Sequence, residues 1–127
     1  MRYWTFDVCQ LIADYHKNQK KLASILEAKE VAEGYVEHPI GATSRGDWEM
    51  YLAILKLREN EYQMYVDMVI LGLNDLPEAE RQTLKWWLID NYDDKTIIAS
   101  LDLKNTTELN KLKQTALTRF TNIVMPN

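Results

Sequence analysis

The sequence has few of the features that mark secretion or membrane insertion. It holds one cysteine, Cys9, among 127 residues, so no disulfide can form within the chain, which agrees with a reducing compartment. No apolar run approaches the ~20 residues that span a bilayer, and the opening MRYWTFDVCQ lacks the layout of a signal peptide. We therefore expect a cytoplasmic protein with no membrane partner, in which Cys9 is a small buried apolar residue.

An excess of basic residues is also missing. The chain has 15 Lys and Arg against 19 Asp and Glu, a formal net charge of −4, which argues against nonspecific coating of nucleic acid. Residues 1–75 hold 8 basic and 12 acidic residues, whereas residues 76–127 hold 7 of each. Residues 106–119 hold three basic residues and one acidic residue. The basic residues are Lys111, Lys113 and Arg119, and the acidic residue is Glu108. That segment is the locally basic part of the chain.

Residues that catalysis or metal binding would need are scarce. Two histidines and one cysteine give no metal-ligand spacing and no Cys–His nucleophile pair. The Gly41–Gly46 segment does not end in Gly-Lys-Ser/Thr, so it does not predict a phosphate-binding loop. Asp93 and Asp94 are adjacent but have no partner base. The sequence therefore predicts a protein that is not an enzyme and has no metal and no cofactor.

Glycine and proline are few, 4 and 3, and they divide the chain. Residues from Thr5 to Val36 read as one long helix, and Glu37–Asp47 as an exposed, mobile loop. Asp47 is a candidate N-cap for a second long helix. Its apolar residues alternate at spacings of three and four: Trp48, Leu52, Leu55, Tyr62, Val66, Val69 and Leu73. We expect the two helices to fold back as an antiparallel, coiled-coil-like hairpin over residues 1–75, joined at Asn74-Asp75 to a second domain.

The second domain, residues 76–127, reads as three short helices. Leu76-Pro77 opens the first, since proline suits the first helical position, and Asp93 or Asp94 caps the second, Lys95–Leu101. The third helix, Thr106–Phe120, follows a capping box formed by Asn105 and Glu108. Four of its residues recur at helical spacing and are expected to face inward: Leu109, Leu112, Ala116 and Phe120. The tail after Phe120 is expected to fray. The predicted fold class is therefore all-α.

The outward face of this third helix is the candidate functional surface. It is polar, slightly basic and free of carboxylates, and it is made by Thr107, Asn110, Lys111, Gln114 and Thr118. Asn and Gln match the paired donor and acceptor edge of adenine in a major groove, and Lys matches guanine or phosphate. Thr106 begins the helix, and Lys104, Lys113 and Arg119 flank the face where DNA phosphates would lie. Solvated polar residues on an exposed helix are the alternative interpretation.

Trp86-Trp87 is the least ordinary dipeptide of the chain. Both indoles can pack the first short helix against the other two. Alternatively, one indole stays exposed as an anchor for a protein partner, since Trp is enriched at binding hot spots.

The C-terminal pattern resembles region four of the sigma-70 family. The residues that carry the resemblance are Leu76-Pro77-x-x-Glu80-Arg81-x-x-Leu84, then Ile97, Leu101 and Leu103, then Ala116-Leu117. Ile98 stands where the family has alanine, and Asp102 where it has a turn glycine. With the long hairpin before it, the layout is similar to the late transcription regulators of phages and prophages of Gram-positive bacteria, of the ArpU and RinA type.

The resemblance implies a phage-type transcription regulator that binds double-stranded DNA through a helix-turn-helix. RNA polymerase is a further candidate partner. A two-helix hairpin can bury only one side of the long apolar stripe from Trp48 to Leu73, so we expect either that the helix-turn-helix folds back on it or that the chain forms a homodimer. A rival from another class is a protein-interaction module that binds RNA polymerase or another regulator with little DNA contact. A purely structural helical protein is the third interpretation, and it requires the outer face of the Thr106–Phe120 helix to be covered.

Overall fold

The computed structural model describes residues 7–39, 41 and 43–126. Over this part of the chain the protein is all-helical, with no strand. Its elements are α1 (Val8–Ala13), α2 (Tyr15–Glu37), α3 (Arg45–Asn74), α4 (Glu78–Leu84), a π-helical turn (Lys85–Ile89), α5 (Asp94–Ser100) and α6 (Thr106–Val124). None of the helices described is long and apolar enough to cross a membrane.

The first predicted helix is interrupted at Asp14. Asp7 caps α1, because its side chain accepts a hydrogen bond from the Gln10 backbone N–H at 3.1 Å. Asp14 has φ −87° and ψ 8° and accepts a bond from the Gln10 side chain at 2.8 Å. A short Asp side chain that finds local partners favours a helix end over a helix interior. The predicted start at Thr5 lies outside the described residues.

The second long helix begins three residues earlier than predicted. Ser44 Oγ accepts a hydrogen bond from the Asp47 backbone N–H at 3.1 Å, so Ser44 caps the helix in place of the predicted Asp47. Asp47 lies in the first turn of α3, where its negative charge suits the positive end of the helix dipole.

The chain divides into two compact units. One comprises residues 17–66, and the other comprises residues 1–16 together with 67–127, described here from residue 7 to 126. These units do not coincide with the predicted domains, 1–75 and 76–127. The difference arises because α1 and the end of α3 share the buried surface of the C-terminal helices.

In the unit of residues 17–66, α2 and α3 pack side by side. Ile25, Ala32 and Leu55 form its buried cluster. Lys29 Nζ lies 2.9 Å from Glu59 Oε1, and the rings of Tyr35 and Trp48 are 4.6 Å apart. Later residues of α2 therefore meet earlier residues of α3, and the two segments are antiparallel where they touch.

In the unit of residues 7–16 and 67–126, the side chains of the core are almost completely buried. Its fully buried side chains come from five helices, and the largest are Phe120, Ile12, Leu84, Ile97 and Leu109. Gly72 of α3 lies against Phe120: a Cβ at this glycine would come within 2.3 Å of Phe120 Cε2. Only a residue without a side chain fits this contact.

The predicted inward face of α6 is confirmed, because Leu109, Ala116 and Phe120 are each 0% exposed and Leu112 is half-buried. The predicted fraying after Phe120 is not found. The helix continues to Val124, and Ile123 and Val124 are half-buried, so burial of the tail favours the extra turn.

Candidate nucleic-acid interface

The connection between α5 and α6 is set by local backbone bonds. Asp93 caps α5, accepting a bond from the Thr96 backbone N–H at 2.8 Å. At the other end, the Leu103 N–H donates to the Ile98 carbonyl at 2.9 Å. Asp102, at the position of the turn glycine in the sigma pattern, has φ +55°. Asp adopts this left-handed conformation at lower cost than most residues, so the turn forms without glycine.

Two hydrogen bonds determine where α6 begins. Asn105 Oδ1 accepts from the Glu108 backbone N–H at 3.0 Å, as the predicted capping box requires. Glu108 Oε2 accepts from the Lys104 backbone N–H at 2.7 Å, one residue earlier than the reciprocal bond of a standard capping box. The first bond satisfies a donor that the helix itself leaves unpaired, and together the two bonds hold the first turn of α6 in place.

Most of the predicted site residues are exposed. This holds for Lys104, Thr106, Thr107, Asn110, Lys111, Gln114, Thr118 and Arg119. The Thr118 hydroxyl donates to the Gln114 carbonyl at 2.9 Å, so it has a partner on its own helix. Sequence reasoning missed Thr115 and Asn122, which are also exposed on α6, and Lys95, which is exposed on α5. The position of Lys95 one residue past the α5 start was the available signal.

Lys113 is the predicted site residue that the structure turns inward. Its side chain is 14% exposed, and its Nζ lies 2.8 Å from Asp94 Oδ1 and 4.4 Å from the centre of the Trp87 ring. Lys113 joins α5, α6 and the π-helical turn, so we correct its role from a phosphate contact to a structural one. The sequence carried a signal for this burial, because Lys113 lies four residues after Leu109 and three residues before Ala116, which both face inward.

Arg119 is paired with Glu80 of α4. Its Nε lies 2.9 Å from Glu80 Oε1, and the two side chains are 58% and 9% exposed. Glu80 Oε1 is buried and has no hydrogen bond of acceptable geometry, so the attraction is between charges and not a directed bond. Arg119 therefore has a structural contact in addition to its exposed surface.

Trp86 and Trp87 each contact another side chain, and neither is fully buried in the core or fully exposed. Both indoles are half-buried. Trp87 lies beneath Lys113, and Trp86 stacks on Tyr92 with ring centres 6.2 Å apart. The π-helical turn, closed by a bond of 2.9 Å from the Asp90 N–H to the Lys85 carbonyl, packs against α1, α4 and α5. Consecutive residues of a helix point about 100° apart, so the two adjacent indoles contact different neighbours.

The electrostatics of the surface are weakly positive. Lys95, Lys104 and Lys111 are exposed and form no ion pair with any residue that the structure describes. The hydrogen bond from Thr96 holds the pKa of Asp93 below its ordinary value, so this carboxylate remains charged beside Lys95. Within the described ranges, no group of three or more His, Cys, Asp or Glu could hold a metal ion.

The α5–α6 region therefore offers a polar helix face, a fixed turn before it and three exposed lysines around it. This arrangement can donate and accept hydrogen bonds and attract anions, and it contains no group with a nucleophilic or acid–base partner. Comparison of the chain with protein-family models, with curated proteins and with solved structures found no match.

Proposed function

We propose that the protein is a DNA-binding transcription regulator of phage type, in which α2 and α3 form a long hairpin and α4 to α6 form a sigma region-four-like helix-turn-helix. The observation that supports the proposal best is the outer face of α6. From Thr106 to Thr118 this face is exposed, polar and free of carboxylates, and the capping bonds fix its start. An uncovered face of this kind disfavours the purely structural interpretation.

In the proposed complex, α6 lies in a major groove. Asn110 and Gln114 are four residues apart, so they lie one above the other on the same side of the helix and reach neighbouring base pairs. Their amides match the donor and acceptor edge of adenine, and Lys111 beside them matches guanine or a phosphate. Thr107 and Thr118 extend the same face towards its two ends.

The phosphate contacts fall to Lys95, Lys104 and Lys111, with Arg119 at the far end and without Lys113. These four cations predict a slope of about −3.6 for the logarithm of affinity against the logarithm of salt concentration. Binding is thus modest and strongly weakened by salt, and useful affinity requires a second subunit or RNA polymerase.

The test is selection of preferred sites from short duplexes with a randomised centre, followed by a salt series. Asn110→Ala and Gln114→Ala should each relax sequence preference by ~1–3 kcal/mol. Lys111→Ala should weaken binding and make the salt slope shallower by ~1. Asn122→Ala is the matched control, because Asn122 is exposed on the same helix but lies a full turn beyond Thr118, the last residue of the proposed face. It should leave affinity and preference unchanged.

A protein-interaction module is the second candidate function. Tyr92 is 45% exposed and stacks on Trp86, and a rigid exposed aromatic pair is typical of a protein-binding hot spot. If no duplex is preferred and Tyr92→Ala abolishes co-sedimentation with purified RNA polymerase, this function replaces DNA reading. If the duplex preference is found and Tyr92→Ala has no effect on it, the first proposal stands.

A further inference from the structure

Helix α3 has apolar side chains on two nearly opposite faces. One face carries Leu52, Leu55 and Tyr62, which pack with α2 in the buried cluster. The other, which we call the outer stripe, consists of Met50, Ile54, Leu57 and Met64, which are 66, 44, 71 and 40% exposed. At 100° per residue the centres of the two faces are about 160° apart. Packing against α2 therefore leaves the outer stripe uncovered.

The outer stripe has the spacing of a coiled-coil seam. Positions 50, 54, 57, 61 and 64 follow one another at intervals of four and three, the repeat of 3.5 residues that keeps a seam facing a partner helix. The stripe is about 21 Å long at 1.5 Å per residue and occupies an arc of about 80°. Scattered surface apolar residues need no explanation, but a continuous seam of this length indicates an interface.

The charges on this face complement each other between two copies of the chain. Glu61 occupies one position of the seam and accepts a hydrogen bond from the Tyr65 hydroxyl at 2.8 Å. Arg58 is exposed and forms no ion pair within the described part of the chain. At 100° per residue, Arg58 and Glu61 lie on the same side of the stripe centre, at about 80° and 20° from Met50. Each copy therefore carries the cation of Arg58 and the anion of Glu61 along the same edge of its outer stripe.

The direction of pairing follows from that edge. In an antiparallel pair, a two-fold axis midway between residues 58 and 61 brings Arg58 of each copy level with Glu61 of the other and on the same edge. In a parallel pair, Arg58 meets the opposite edge of its partner, which carries Ala53 and Asn60 and offers no carboxylate. Glu61 would then be desolvated without a cation, which is unfavourable.

We propose that the outer stripe of α3 binds the same stripe of a second copy of this chain in an antiparallel pair, with two ion pairs between Arg58 and Glu61 of the partner subunit. In this register the two stripes overlap from residue 55 to residue 64, so the pair buries less than the standard area of a specific protein interface. The dimer is accordingly weak and dissociates in the micromolar range. The inference does not rest on the proposed DNA binding, because no residue of α6 takes part.

Sedimentation equilibrium of the full chain over a range of concentrations is the first test. We expect a reversible monomer–dimer equilibrium. Leu57→Asp should raise the dissociation constant at least about tenfold, and because Leu57 is exposed, circular dichroism and the melting temperature should stay close to the wild type. Lys56→Glu is the matched control, since Lys56 is exposed on the same helix outside the stripe, and it should leave the dimer unchanged.

Charge reversal tests the pairing itself. Arg58→Glu and Glu61→Arg should each weaken the dimer by about tenfold through like-charge contacts, and the double variant should restore the dissociation constant to within about threefold of the wild type. Recovery in the double variant identifies the ion pair even if Leu57→Asp proves to disturb the fold.

Spin labels report the direction. With Cys9 changed to Ser and a label at Glu49→Cys, the two labels of an antiparallel dimer are about 30 Å apart along the helices, whereas in a parallel dimer they are neighbours. A chain that remains monomeric at several hundred micromolar, a dimer unaffected by Leu57→Asp, a double charge reversal without recovery, or neighbouring labels at position 49 would each overturn the proposal.

Discussion

The two compact units of the chain differ in how completely they bury apolar side chains. In the unit of residues 7–16 and 67–126, Ile12, Leu84, Ile97, Leu109 and Phe120 are 0% exposed. In the unit of residues 17–66 the buried cluster is small. Of the ten large apolar side chains that are exposed among the described residues, seven lie in this unit: Leu26, Val31, Met50, Tyr51, Ile54, Leu57 and Met64. Two helices can cover one side of each other, whereas several helices enclose a core. The unit of residues 7–16 and 67–126 therefore encloses its core, whereas the unit of residues 17–66 leaves much of its apolar surface exposed.

The largest expected effect comes from truncating the enclosed core. Phe120→Ala should lower the free energy of unfolding by about 3–5 kcal/mol, because the ring leaves a cavity among buried neighbours. Leu57→Ala removes an apolar side chain that is 71% exposed and should change the stability of the monomer by no more than about 0.5 kcal/mol. Urea denaturation at a concentration below dimer formation measures both. Equal losses for the two variants would contradict the contrast between the units.

Two glycines test the units with the same substitution. Gly72→Ala places a methyl group against Phe120 and should cost about 1–3 kcal/mol by overpacking. Gly34→Ala in α2 meets no atom within 4 Å and should stabilise by roughly 0.5–1 kcal/mol through helix propensity and the unfolded state. Thermal unfolding gives both values. In Gly72→Ala with Phe120→Leu the loss should be less than the sum of the single losses, since the smaller side chain gives the methyl group room.

Two lysines separate the inner and outer faces of α6. Lys113→Ala removes the contacts to Asp94 and Trp87 and should cost about 1–2 kcal/mol, since a cation above an indole and a partly buried ion pair are both lost. Lys111→Ala, on the exposed face, should stay within about 0.5 kcal/mol of the wild type. Chemical denaturation decides between them. If Lys113→Ala leaves stability unchanged and reduces the salt slope of DNA binding, the original prediction of a phosphate contact is restored.

The smallest expected effects are opposite pH dependences of the two units. The bond from Thr96 lowers the pKa of Asp93, so its contribution is present above an ordinary Asp pKa of about 4 and is lost as pH falls through the lowered pKa. The bond to Glu59 raises the pKa of Lys29, so its contribution is present below an ordinary Lys pKa of about 10.4 and is lost as pH rises through the raised pKa. The unit of residues 7–16 and 67–126 should therefore lose stability in acid, and the unit of residues 17–66 should lose stability in alkali.

Amide exchange followed by mass spectrometry reads each unit separately. Asp93→Asn, which keeps an N-cap side chain without a titrating carboxylate, should flatten the acid dependence around α5. Lys29→Met should flatten the alkaline dependence of α2. The acid dependence will not vanish, because bonds from Gln82 and Arg81 also lower the pKa of Glu78 in the same unit. An unchanged profile for both variants would show that these two groups do not account for the pH response.

The sequence by itself determined the elements that depend on neighbouring residues. The all-helical class follows from the 3.6-residue repeat and from the few, well-placed breaks. The caps at Asp93 and Asn105 and the burial of Leu109, Ala116 and Phe120 depend on contacts within one or two turns, and the structure contains all of them. Local chemistry of this kind can be read from the order of residues. The exposure of most of the candidate DNA-binding face follows from the same periodicity.

Only the tertiary structure decided which distant residues meet. The spacing of Lys113 puts it at the edge of the inward face of α6, but only the placement of Asp94 and Trp87 decides which contacts its side chain makes there. The assignment of α1 to the C-terminal core depends on the π-helical turn that packs against it, which no sequence signal announced. Gly72 reads as a helix-weakening residue until Phe120 is placed beside it. In each case the deciding free energy belongs to a contact between residues remote in the chain, and it outweighs local preference because burial and close packing are worth more than helix propensity.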